Sequence, residues 1–167
     1  IEISSLGSVF YTNEEIQKSK SSYEILEWQQ FKDKEGFPAS KPPWGSLSAI
    51  DLSSGKIKWK VPLGEIKELS LKGIDKTGTE NIGGPTSTAS GLVFVSGTKD
   101  ELIRAFNSSN GEELWSYKIP YVGTSAPALI EIENKPYLVI IGSGGGKLTR
   151  FDKTVRQGFS ISVFSIN

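Results

Sequence analysis

The 167-residue sequence contains no cysteine and no histidine. Without cysteine there can be no disulfide, thiolate zinc site or thiol nucleophile. Without histidine, Ser-His-Asp catalysis and imidazole metal ligation are excluded as well. Methionine is also absent and the chain begins at Ile1, as expected of a processed protein or an excised fragment rather than a complete translation product. Apolar runs are short, Tyr137–Ile141 being among the longest, against the ~20 residues a membrane helix needs. The start shows no signal-peptide pattern. Neither sign of charge is in excess: 19 Lys and Arg balance 19 Asp and Glu, and the basic residues are scattered. No nucleic-acid partner is expected.

What the sequence does contain is a repeat. Leu47 to Trp59 reads LSAIDLSSGKIKW, and Ile103 to Trp115 reads IRAFNSSNGEELW. Ala, Asp/Asn, Gly and Trp recur at the same internal spacing, each displaced by 56 positions, as from Ala49 to Ala105. A degraded third copy, Ile161 to Ile166, stops where its glycine and tryptophan would come. Each unit reads as a hairpin. Ala-x-Asp/Asn ends a strand, Ser-Ser-Gly or Ser-Asn-Gly supplies the turn, and the next strand carries a Trp large enough to dock on a neighbouring unit.

Upstream of each hairpin lies a second strand pair. Pro85–Thr88 with Gly91–Ser96 is one, and Ala126–Ile130 with Tyr137–Ile141 the other. Four strands per unit, repeated, indicate blades of a β-propeller. The expected fold is all-β, about two and a half four-stranded blades. Residues 37–63 form a partial blade, 84–120 a complete one and 124–167 a final partial one. Gly64 to Asn81 reads as an extended connection. Residues 1–36 form a separate polar segment in which Ile16 to Phe31 has a loosely helical pattern (Ile16, Tyr23, Leu26, Trp28), capped by Asn13-Glu14-Glu15. A short helix or an insertion is expected there.

Several motifs resemble, in order, those of quinoprotein sugar dehydrogenases. They are Glu35-Gly36-Phe37-Pro38 to Trp44-Gly45, Ala49-Ile50-Asp51 to Trp59, and Val61-Pro62-Leu63-Gly64-Glu65. Thr77 to Pro85, Gly91-Leu92-Val93-Phe94, Thr98-Lys99-Asp100-Glu101 to Arg104-Ala105-Phe106, and Gly144-Gly145-Gly146-Lys147 continue the series. The resemblance runs from about Phe31 to the C-terminus and is nearest to the membrane-linked glucose dehydrogenase type. It implies an eight-bladed propeller holding pyrroloquinoline quinone (PQQ) and calcium near its axis, in the bacterial periplasm facing the inner membrane. It further implies oxidation of a sugar or alcohol hydroxyl, with electrons passing to a quinone or a cytochrome. The family's aspartate base and its calcium ligands fall upstream of these motifs, so no catalytic residue or metal ligand is assigned. Where the family carries Gly-Asp before its last strand, this chain has Gln157-Gly158-Phe159-Ser160.

Candidate cofactor contacts are Trp44, Asn81, Gly83, Gly84, Gly144, Gly145 and Lys147. Asn81 is flanked by glycines before a strand expected to face the propeller axis, where an amide and close backbone N–H groups can meet a flat, anionic cofactor. A tight turn with Asn at positive φ accounts for the same residues. Trp44 follows two prolines and offers a rigid indole for stacking; packing at a strand entrance is the plainer account. Gly142-Ser143-Gly144-Gly145-Gly146-Lys147 lacks P-loop spacing and reads as an axis-facing loop, with Lys147 a carboxylate partner, or equally as a solvated loop. Lys99, Asp100 and Arg104 read as surface charge, and Glu80, Asp51 and Asp152 show no spacing that argues for acid–base work or a metal.

The expected function is therefore the C-terminal portion of a PQQ-dependent dehydrogenase, inactive by itself. The competing reading is a non-catalytic propeller module for binding or scaffolding. Two and a half blades leave sheet edges and apolar faces open. The expected partners are accordingly the rest of the propeller, or further copies joined through blade faces.

Overall fold

The computed structural model describes residues 6–9, 27–144, 146 and 148–165. Strands β1 (Leu6–Val9) and β2 (Glu27–Gln30) pair antiparallel. β3 (Ser46–Asp51) and β4 (Lys56–Pro62) form a two-stranded sheet. β5 (Pro85–Ser87), β6 (Leu92–Val95), β7 (Leu102–Asn107) and β8 (Glu113–Lys118) form a four-stranded meander in sequential order. β9 (Ala128–Ile132), β10 (Lys135–Gly142) and β11 (Ser160–Ser165) make a three-stranded sheet with β10 in the middle. This is the all-β, partial-propeller architecture that the repeat predicts.

The two repeat units fold alike in detail. Ala49 pairs with Trp59 and Ala105 with Trp115, and in both hairpins the register shifts immediately after the alanine. The Asp51 carboxylate accepts the Ser53 amide and hydroxyl at 2.9 and 2.7 Å. Asn107 Oδ1 accepts those of Ser109 at the same distances. Such side-chain turns are what Asx residues form where a strand must reverse. Hydrogen bonds from the hydroxyl and amide of Ser53, and then from those of Ser54, hold the exposed Asp51 carboxyl at about 2.

Blade stacking follows from the period-2 alternation of each strand. One face of the four-stranded blade gives Val95 and Phe106 to a core shared with Leu47 and Leu63, with Trp59 and Val61 packed at its margin. The other face gives Phe94, Ile103 and Ala105 to a second core with Leu138 and Ile140. Trp59 reaches across the first interface: its indole N–H donates to Ser108 O at 2.9 Å, and its ring lies on Gly111. Trp115 and Tyr117 meet the Phe164 ring edge-on at 5.4 and 5.2 Å across the second. The far face of the last sheet carries Ile130, Ile132, Ile141, Ile161 and Val163, each between 43 and 59% exposed.

One expectation is corrected. The helix expected over Ile16 to Phe31 does not extend through its last turn. Glu27–Gln30 is strand β2, because its backbone pairs with Leu6–Val9, an alternative that a sparse helical stripe does not outweigh; residues 16–26 lie outside the described ones. The long Gly64 to Asn81 connection contains one regular element. A single helical turn, α1 (Lys67–Ser70), forms where Leu69 is buried and the Ser70 hydroxyl bonds back to Ile66 O.

Candidate functional site

At one end of the stacked blades the connecting loops lie backbone against backbone. Trp44 N–H donates to Thr77 O at 2.7 Å, Thr79 N–H to Leu63 O at 2.8 Å, and Ile82 N–H to Gly97 O at 3.3 Å. Gly123 bridges Gly142, and Ser143 N–H donates to Val122 O at 3.2 Å. A Cβ at Gly83 would fall 2.4 Å from Ser96 O, so this position is glycine because another strand end passes over it. A Cβ at Gly144 would likewise meet Gly158 N at 2.5 Å. Gly84 is looser, with Ala126 Cβ at 3.4 Å its nearest neighbour.

Asn81 is half-buried and bridges Thr98, and its Nδ2 donates to Ser96 O at 2.9 Å. One amide hydrogen and the Oδ1 lone pairs are not used by that bond. Trp44 is fixed by its indole N–H on Ser40 O at 2.8 Å, which commits its polar edge and leaves the ring as a surface. Gly145 and Lys147 lie outside the described residues. Behind them, α2 (Leu148–Phe151) is a single turn with Leu148 buried against Val122 and Val155. A turn so short does not make the glycine run a phosphate loop.

Trp44 lines a groove of about 580 Å³, together with Phe31, Phe37, Pro38, Thr79, Glu80, Lys99 and Asp152. That volume is in the range of small-molecule sites. Asn81, Gly83, Gly84 and Gly144 are not among its walls; they belong to the adjoining glycine-lined loops.

The charges read as surface decoration are corrected by the structure. Arg104 is 4% exposed. Its guanidinium donates to Thr98 Oγ1 at 3.0 Å, pairs bidentately with Asp100, and reaches Glu113 at 3.3 Å. Asp100 also accepts the Glu65 amide at 2.9 Å, so this pair pins the preceding connection to the blade. Lys99 Nζ lies 2.8 Å from Glu80 Oε2 and 3.0 Å from Asp152 Oδ2. Burial works against the lysine's charge, but the Glu80 and Asp152 carboxylates outweigh it and raise its pKa. Burial likewise opposes ionisation of Asp152. Hydrogen bonds from the Thr154 hydroxyl and amide, and then from Lys99, bring it down to about 2. Sequence spacing could not show this cluster, because Glu80, Lys99 and Asp152 come from three separate segments. A partial signal was present: a Lys inside Thr-x-Asp, on the same blade end as the Asn81 loop.

The family model for the β-propeller domain of PQQ glucose/ethanol/alcohol dehydrogenases matches residues 6–138. The chain belongs to that family. It is 40% identical over 119 residues to a quinate/shikimate dehydrogenase (quinone) of Acinetobacter baylyi, covering 67% of this chain and 15% of that protein. It is 36% identical over 116 residues to quinoprotein glucose dehydrogenase A of Acinetobacter calcoaceticus, covering 66% and 14%. The quinohemoprotein alcohol dehydrogenase of Comamonas testosteroni superimposes with a TM-score of 0.57 at 25% identity, over 79% of this chain and 18% of that one. The chain thus spans about a seventh of the length of the curated relatives it matches.

The cofactor that this family implies can be tested against the donors present. The groove walls carry Lys32, Lys67, Lys99 and Lys118 against Glu35, Glu65, Glu68, Glu80, Asp100 and Asp152, an excess of acid. They do not suit the anionic carboxylates of PQQ. The Trp44 ring, the Asn81 amide and the uncharged glycine loops suit the flat face of a quinone. The residues fit part of the cofactor, the uncharged part.

Proposed function

We propose that this segment forms one wall of the cofactor chamber in a PQQ-dependent dehydrogenase that oxidises a hydroxyl of a sugar-like or alcohol substrate. The observation that carries the proposal is the loop end of the blades, where Asn81 and the Gly83-Gly84 backbone precede β5 in a chain of this family. Trp44 would supply a stacking surface and Asn81 a hydrogen-bonding edge. Gly83, Gly84, Gly144 and Gly145 would let backbone approach closely, and Lys147 would meet a carboxylate. When bound, PQQ supplies the quinone that accepts hydride from the substrate carbon. The proton-accepting base and the calcium ligands belong to the rest of the protein in this proposal.

The residues of this chain therefore bind, orient and exclude water rather than transfer protons. The relatives named for glucose and for quinate or shikimate both act on ring polyols, and that supports a cyclic hydroxylated substrate. The proposed acceptor is a quinone or a cytochrome, and the proposed location is the periplasm, at the inner membrane. The remaining blades of the propeller are the proposed partner of the open faces. Without them, copies of this chain would meet through those faces.

The test is titration of the full-length protein with PQQ, followed by fluorescence and by dye-linked oxidation of glucose and quinate. Trp44→Ala and Asn81→Ala should each weaken PQQ binding by about ten-fold. Unchanged affinity in both variants would refute the wall assignment.

A further inference from the structure

One charged cluster has no part in the proposed contacts, and it joins the two loops that carry them. Lys99 Nζ bridges Glu80 Oε2 at 2.8 Å and Asp152 Oδ2 at 3.0 Å, with all three side chains between 19 and 23% exposed. Glu80 immediately precedes Asn81. Asp152 immediately follows α2, the turn behind the glycine-rich loop. Lys99 itself sits between β6 and β7 of the complete blade.

We propose that Lys99 is a positioning residue whose single ammonium fixes the distance between the Asn81 loop and the glycine-rich loop, and so the width of the chamber wall. The inference rests on the PQQ reading for its consequence, but not for the tether itself. Each end of the tether is anchored. The Lys99 amide donates to Thr79 Oγ1 at 3.2 Å. The Asp152 carboxylate is held by the Thr154 amide at 3.0 Å and hydroxyl at 2.6 Å. Two carboxylates sharing one cation repel each other once that cation is removed, and half-buried charges are poorly screened by salt. Removal of Lys99 should therefore drive the loops apart rather than merely loosen them. The Arg104–Asp100 pair cannot substitute, because it joins the blade to Glu65 and not to the final sheet.

The experiment uses the full-length protein carrying Lys99→Met, Lys99→Arg, Lys99→Met with Glu80→Gln, or Leu138→Val as a stability control in the inter-blade core. Hydrogen–deuterium exchange without PQQ reports on segments 77–84 and 142–152, and fluorescence titration reports PQQ affinity. Lys99→Met should raise exchange in both segments and weaken PQQ binding about ten-fold. Lys99→Arg should restore both readouts, and the added Glu80→Gln should restore part of each by relieving the repulsion. Leu138→Val should lower the melting temperature with PQQ affinity intact. Unchanged exchange in Lys99→Met overturns the tether. Raised exchange with unchanged PQQ affinity overturns its positioning role. Should the parent protein fail to bind PQQ, the wall proposal falls, and the exchange data still decide whether Lys99 joins the loops.

Discussion

Substitution of Gly111 by alanine tests whether blade stacking is built on the Trp-on-glycine contact. Gly111 has φ +76°, and a Cβ there would lie 2.6 Å from Trp59 Cε3 and 2.9 Å from Cδ2. The left-handed backbone alone should cost about 1–2 kcal/mol for a residue with a Cβ. Forcing an indole away from a packed turn should add about 1–3 kcal/mol, and would also strain the bond from Trp59 Nε1 to Ser108 O. Gly111→Ala should therefore lose about 2–5 kcal/mol in urea unfolding of the chain. In a Trp59→Ala background the clash is gone and only the backbone term of about 1–2 kcal/mol should remain. The double-mutant cycle should thus show a favourable coupling of about 1–3 kcal/mol. Additivity of the two substitutions to within about 0.5 kcal/mol would refute the contact as the element that locks the first pair of blades.

Three further outcomes follow from the same packing. Arg104→Met removes a guanidinium that is 4% exposed and leaves Asp100 unpaired, so it should destabilise by about 3 kcal/mol in urea unfolding; a loss of a few tenths would return Arg104 to the surface. Asp152 has its folded pKa depressed from 3.8 to about 2, so its contribution is complete above pH 3.8 and is lost as pH falls through about 2. Asp152→Asn should abolish that part of the acid limb in urea midpoints measured across this range, and an unchanged limb would contradict the assignment. The chain produced by itself should sediment as an oligomer, and Val163→Lys on the open face should shift it toward monomer; a strictly monomeric parent chain would refute blade-face association.

Much of the fold was legible because it is written in local chemistry. The Asp51 and Asn107 turns, Gly55 and Gly111 at positive φ, and the Ala–Trp cross-strand pairs are short-range features, and they repeat at one spacing. β5 to β11 fall where alternation and turn residues put them. Strand β2 was not legible, because a four-residue polar stretch takes its conformation from Leu6–Val9 rather than from its own pattern. The turn α1 depends on burying Leu69, which only the packed blades make available. The charged cluster was illegible for the same reason. A 53-residue separation joins Lys99 to Asp152, and no local spacing encodes it.

Under the wall proposal, charge would also divide the labour of cofactor binding between this chain and the remaining blades. The chain is neutral overall, yet the cations nearest the loop end are committed: Lys99 to Glu80 and Asp152, Arg104 to Asp100, and Arg156 and Lys118 to Glu101. Releasing Lys99 or Arg104 to a carboxylate of PQQ would strand a partly buried acid, whereas Glu101 keeps one cation if the other leaves. In the proposed wall, electrostatic affinity for an anionic cofactor would then come mainly from cations outside these pairs, Lys147 and the blades beyond this chain among them, while Trp44 and Asn81 would contribute stacking and a neutral hydrogen bond. The two contributions separate by ionic strength, because only the first is screened. Trp44→Ala should weaken PQQ binding by the same factor at low and high salt, with the salt dependence of the parent protein preserved. A salt dependence that vanished with Trp44 would mean that the anion is held in the groove itself, and would refute this division of charge.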